Sequence, residues 1–118
     1  MMAETREDQI KRAYEDLRTA RIEMHKVSER DLAARTALKQ KEAALLLSGA
    51  IIGKNAETRD AQLKEGCKGE LEAVEAVRVE KADAQLRQDL ASMRVQELQW
   101  LIRNDQAMAD LDARGYVP

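Results

Sequence analysis

The sequence predicts an all-α protein, a long antiparallel helical hairpin of coiled-coil character that assembles into a four-helix bundle dimer. Three observations predict it. The single proline, Pro118, is the last residue, so the chain before it lacks the residue that helices tolerate least. Charged residues make up 36% of the chain, aromatics only 3%, and there is no Phe, which leaves a composition of helix formers. Apolar residues in the first part of the chain recur every seven positions. The whole of 1–118 reads as a single helical-hairpin domain, with a helix over about 4–48, a joint at 49–55, a short helix over about 56–64 and a helix over about 70–113.

The first helix carries its seam at Ile10, Leu17, Met24, Leu38 and Leu45, with Ala13, Ala20, Val27 and Ala34 three residues on. Large residues stand at a and mostly small ones at d, which lets a partner helix approach closely. Asp31 interrupts the a series and Lys41 the d series. Such polar positions fix register, mark where the partner departs, or are solvated defects. A helix of this span is roughly 65 Å long and cannot bury its seam alone.

The joint is Ser48-Gly49-Ala50-Ile51-Ile52-Gly53-Lys54-Asn55. Two glycines bracket a short apolar patch, a helix stop and turn, with Ile51 and Ile52 expected to pack on the helices. Asn55 stands where an N-cap belongs, with Glu57 in the first turn, and Thr58 is a second candidate cap. Gly66 and Gly69 flank Cys67 and each weakens a helix by about 1 kcal/mol relative to alanine, so a break or kink is expected there, with a continuous helix as the alternative.

The last helix is expected to pack on a stripe through Leu71, Val74, Ala82, Leu86, Leu90, Met93, Leu101, Met108 and Leu111. Its steps from Ala82 are closer to an eleven-residue repeat than to a heptad. Val95, Leu98, Trp100, Leu101 and Ile102 widen the apolar face near its end, more than one seam needs. Gly115 ends this helix and Tyr116-Val117-Pro118 forms a tail.

Charge and motifs narrow the function classes. The net charge is −2 with both signs interleaved, which does not advertise nucleic acid. Lys11, Arg12, Arg18, Arg21, Lys26, Arg35, Lys39 and Lys41 form a modest basic series among acidic residues and read as a solvated face with intrahelical pairs. The longest apolar runs are too short to span a membrane, and the N-terminus lacks the apolar core of a signal peptide. A soluble protein of the cytoplasm is the expectation.

His25 is the one histidine and Cys67 the one cysteine, so no intramolecular disulfide, zinc site or nucleophile–base–acid set can be assembled. No catalytic residue, cofactor or metal is expected; His25 reads as a helix-surface residue and Cys67 as a quiet thiol. Met1, Met2, Met24, Met93 and Met108 suit core or terminus. Gly53-Lys54-Asn55 falls short of a phosphate loop, since Gly49 to Gly53 is one residue short and Asn55 replaces the hydroxyl. A helix start with Lys54 and Asn55 remains a candidate contact for an anion.

The stretch Gly53-Lys54-Asn55-Ala56-Glu57-Thr58-Arg59-Asp60-Ala61-Gln62-Leu63 resembles a block in small helical proteins encoded by bacteriophages and prophages. The resemblance extends loosely over about 45–104. It implies no catalytic residues and a location among phage DNA-metabolism genes, hence a host cytoplasm.

The function expected is a non-enzymatic interaction or assembly module, an accessory to phage DNA processing or an inhibitor of a host protein, acting on itself as a dimer or higher oligomer and on another protein. The alternative is a nucleic-acid-binding accessory in phage replication or recombination. Val95, Leu98, Trp100, Leu101 and Ile102 are the candidate contact patch, rimmed by Arg94, Glu97, Arg103 and Asp105. Trp100 suits either an anchor for a partner or packing at the bundle end.

Overall fold

A computed structural model describes residues 3–115. The tail at Tyr116-Val117-Pro118 and the first two methionines lie outside the described residues. Among the described residues the protein is all-helical, with three helices and no strand: α1 (Arg6–Leu47), α2 (Ala56–Gly66) and α3 (Lys68–Ala113). The chain divides into two compact units, one of Met1–Ile22 with Leu86–Pro118 and the other of Glu23–Gln85.

Each helix end has a chemical cause. Thr5 Oγ1 accepts from the Asp8 amide at 3.1 Å, while Asp8 Oδ2 accepts from the Thr5 amide at 3.4 Å. This reciprocal box occupies two amide donors at the start of α1, two residues later than the start at Glu4 that the sequence suggests. At the other end Ser48 Oγ donates to the Leu45 carbonyl at 3.0 Å and Gly49 turns the chain at φ +74°, a left-handed conformation that costs glycine nothing. Asn55 caps α2 as the sequence predicts, its Oδ1 accepting from the Thr58 amide at 2.8 Å. Gly115, at φ +70°, ends α3.

The break expected around Gly66 and Gly69 shrinks to one residue. α2 runs to Gly66 and α3 starts at Lys68, beyond the limits of 64 and 70 read from the glycines. Helical hydrogen bonding carries through, with Cys67 N donating to Leu63 O at 2.9 Å and Leu71 N to Cys67 O at 2.8 Å. Gly66 earns its place by close approach. A Cβ there would stand 2.7 Å from Leu45 Cδ1.

In the first unit the core is Ala13 and Leu17 of α1 with Val95 and Leu98 of α3, and Ala91 and Leu101 pack against it. Arg6 meets Asp105 at 3.5 Å, and Gln99 Nε2 donates to the Tyr14 hydroxyl at 2.8 Å. Contacts therefore advance along α1 as they retreat along α3. The second unit repeats the sense of this order, with Lys81 on Asp31 and the end of α2 on Leu45. Val27, Asp31, Cys67 and Ala84 are its buried residues.

The seam predicted for α1 is the buried side of that helix. Of the stripe predicted for α3, Val74 and Leu101 are half-buried and the rest is exposed. In the second unit α3 buries or half-buries Val74, Val77, Lys81 and Ala84, and in the first unit Ala91, Val95 and Leu98. These positions step by three and four, the same heptad as α1. Leu71, Leu86, Leu90, Met93 and Met108, which the larger-residue stripe had placed inside, are exposed. A shared period keeps two helices in register, whereas an eleven-residue stripe drifts off a heptad partner. The small d residues of α1 also favour a close neighbour such as Ala84 or Ala91 over a leucine.

Ile51 is half-buried, but Ile52 is 78% exposed, against the expectation that both pack on the helices. The amides of Ile52 and Gly53 both donate to Gln62 Oε1, each at 3.0 Å. This fixes the backbone of the joint and leaves the Ile52 side chain outward. Leu46 and Leu47 beside it are exposed as well.

Candidate functional site

The five residues expected to form one contact patch separate onto different faces of α3. Val95 and Leu98 are buried in the core with Ala13 and Leu17 and are not available to a partner. Leu101 and Ile102 are half-buried. Trp100 is 64% exposed. Five successive helical residues span more than a full turn, so Val95 and Trp100 lie about 140° apart around the axis. A run that looks wide in sequence is two faces in space.

The outward face is larger than Trp100. Leu86, Leu90 and Met93 share it at helical spacing, and each is more than half exposed. Met108 and Leu111 continue it with smaller exposure. All belong to the first unit. Its polar neighbours include Arg94, whose Nη1 donates to Glu97 Oε1 at 2.9 Å. In the sequence this face, apart from Trp100, shows as the stripe of large residues expected to pack inside.

Lys54 is exposed, and Asn55 is committed to α2. Its Oδ1 holds the Thr58 amide, and its carbonyl oxygen accepts from Arg59 N at 3.1 Å and Arg59 Nε at 3.3 Å. The cap thus occupies one of the amides an anion would need, and Lys54 beside it is a single solvated charge.

His25 Nε2 lies 2.9 Å from Glu29 Oε1 on an exposed surface, one turn away on the same helix. Among the described residues no group of three or more His, Cys, Asp or Glu is gathered for a metal ion. Cys67 is buried and free. Burial pushes its thiol pKa up, Glu42 and Glu70 add to this, and Lys41 opposes it. A thiol held neutral in this way is a poor nucleophile.

Asp31 is the buried charge of the second unit, 7% exposed. Its Oδ2 accepts from Arg35 Nη2 at 2.8 Å and from Lys81 Nζ at 3.2 Å. The a-position interruption is therefore a paired group. The sequence showed Asp31 as a break in the pattern but gave no sign of Lys81, which sits outside the predicted α3 stripe.

No helix among the described residues is long and apolar enough to cross a membrane. Comparison with protein-family models, with curated proteins and with solved structures gives no match.

Proposed function

We propose that the protein is a non-catalytic helical assembly module. In this reading α1 and α3 form one antiparallel hairpin, and two copies join through the outer face of α3 into a four-helix bundle. The observation that supports it is the run Leu86, Leu90, Met93 and Trp100, large apolar side chains left in water on the side of α3 away from Val95 and Leu98. A soluble helix seldom keeps such a run uncovered. The thin core points the same way. Alanine recurs among the buried residues, and Leu98, Val27 and Cys67 are the largest that are fully buried among the described residues. Folding coupled to association supplies the missing burial.

Light scattering across a concentration series tests this reading. A dimer mass that falls to the monomer mass with Trp100→Ala or Leu90→Ala is the expected result. A monomer mass for the unaltered chain at all concentrations would sink it.

A further inference from the structure

The outer face of α3 holds a second seam, on the opposite side of the helix from Val95 and Leu98. From Leu86 to Leu111 its positions alternate in steps of four and three, and every one of them is exposed. Leu86, Leu90, Met93, Trp100 and Leu111 are its large apolar members, and Glu97, Asn104 and Ala107 fill the other places. A regular heptad suits a helical partner, because a helix meets every third and fourth residue along one line. The seam is about 38 Å long.

Its polar members decide which helix fits. Glu97 and Trp100 flank the midpoint of the seam. Glu97 Oε1 accepts from Arg94 Nη1 at 2.9 Å, and the carboxylate keeps capacity for further donors. The Trp100 indole is a donor only. Arg103 is exposed and forms no ion pair among the described residues. The seam reversed onto itself matches these groups. When Leu86 meets Leu111, Leu90 meets the small Ala107, Met93 meets Asn104, and Glu97 meets Trp100. Arg103 of one copy then lies about one turn from Glu97 of the other.

We propose that the occupant of this face is the α3 helix of a second copy running antiparallel, and that Glu97 selects that direction. This rests on the dimer reading above and adds to it an orientation and a register. Each Glu97 carboxylate takes the indole N–H of the second copy's Trp100 and faces its Arg103. A parallel pair sets Glu97 against Glu97 and leaves the two indole donors facing each other. It gains a contact between the two copies of Asn104, one neutral hydrogen bond against a like-charge clash near the centre of the seam. A helix of another protein satisfies Glu97 and Trp100 only if it carries a donor and an acceptor in reverse order, which a second copy does by symmetry.

Spin-label distance measurement tests the direction, with the label at Asp112→Cys beside the seam and Cys67→Ala removing the native thiol. Antiparallel copies hold the two labels about 40 Å apart, from the rise of the helix. Parallel copies bring them within about 20 Å, from the spacing of packed helices. The long distance is expected, and the short one overturns the proposal. Disulfide trapping in air tests the register. Met93→Cys copies mixed with Asn104→Cys copies should form a mixed disulfide, whereas Asn104→Cys alone should not cross-link; the reverse outcome also overturns the proposal. If Met93→Cys dissociates the copies, the label distance decides alone. Glu97→Leu should bring the short distance into the distribution, and a distribution left unchanged means that Glu97 does not select the direction. Light scattering on the labelled chain separates the two readings. A monomer mass sinks the dimer and the orientation together, whereas a dimer with the short distance sinks the orientation alone.

Discussion

Lys81 of α3 donates to the buried carboxylate of Asp31 in α1 at 3.2 Å, and Arg35 approaches the same oxygen at 2.8 Å. Both residues stand at seam positions where an apolar side chain would ordinarily pack. The pair fixes which turn of α3 sits beside which turn of α1, because any axial slip separates the charges. It is only partly sheltered, since the Lys81 and Arg35 side chains remain substantially exposed, so its worth lies between that of a surface pair and that of a buried one.

Asp31→Ala should therefore cost about 1–3 kcal/mol in urea unfolding, from a lysine left without its partner on the seam. Replacing both residues, Asp31→Leu with Lys81→Leu, should restore or exceed the original stability. A double variant as unstable as the single one would mean that the ion pair itself stabilises the fold.

The cap on α2 carries a separate cost. Asn55→Ala removes the acceptor for the Thr58 amide and should cost about 0.5–2 kcal/mol. Asn55→Asp should retain the cap. Thermal unfolding followed by circular dichroism separates the two.

Glycines 66 and 69 should respond differently to alanine. Nothing lies within 4 Å of a Cβ at Gly69, so Gly69→Ala should gain about 0.8–1 kcal/mol of helix propensity. At Gly66 the added methyl meets Leu45 Cδ1 at 2.7 Å, and the leucine must turn aside. Gly66→Ala should gain less than Gly69→Ala, and Leu45→Ala should remove the difference.

The Cys67 thiol gives a pH signature. Its pKa is raised in the fold, first by burial and then by Glu42 and Glu70. The folded state therefore favours the neutral thiol. The associated stability is intact below the ordinary thiol pKa and is lost as pH rises through that value towards the raised one. Cys67→Ser should flatten this alkaline decline. Labelling of the native protein by a thiol reagent should be slow at neutral pH and speed up on addition of urea.

Much of the local structure was legible in the sequence. The absence of internal proline and the heptad in α1 determine that the chain is helical and which side of α1 is buried. Asn55 as a cap and Gly115 as a stop follow from side-chain and backbone chemistry that acts over a few residues. The capping box at Thr5 and Asp8 is equally local, and it starts α1 at Arg6 rather than at Glu4.

The face of α3 was a different matter. Its large residues, Leu86, Leu90, Met93 and Trp100, form the stronger apolar signal, yet the fold buries Ala84, Ala91, Val95 and Leu98. A single helix contains no information about how close its neighbour will come. In each unit the small d residues of α1 help to decide that distance, and in the second unit the pairing of Asp31 with Lys81 decides register, both being properties of segments far apart in the chain. The sequence by itself determined that the chain is helical and that Asn55 caps α2 and Gly115 stops α3, because those depend on short-range hydrogen bonding and propensity. Only the tertiary structure decided which of two apolar faces of α3 is core and which is left to water, because that choice minimises the gap between helices rather than the exposed area of either one.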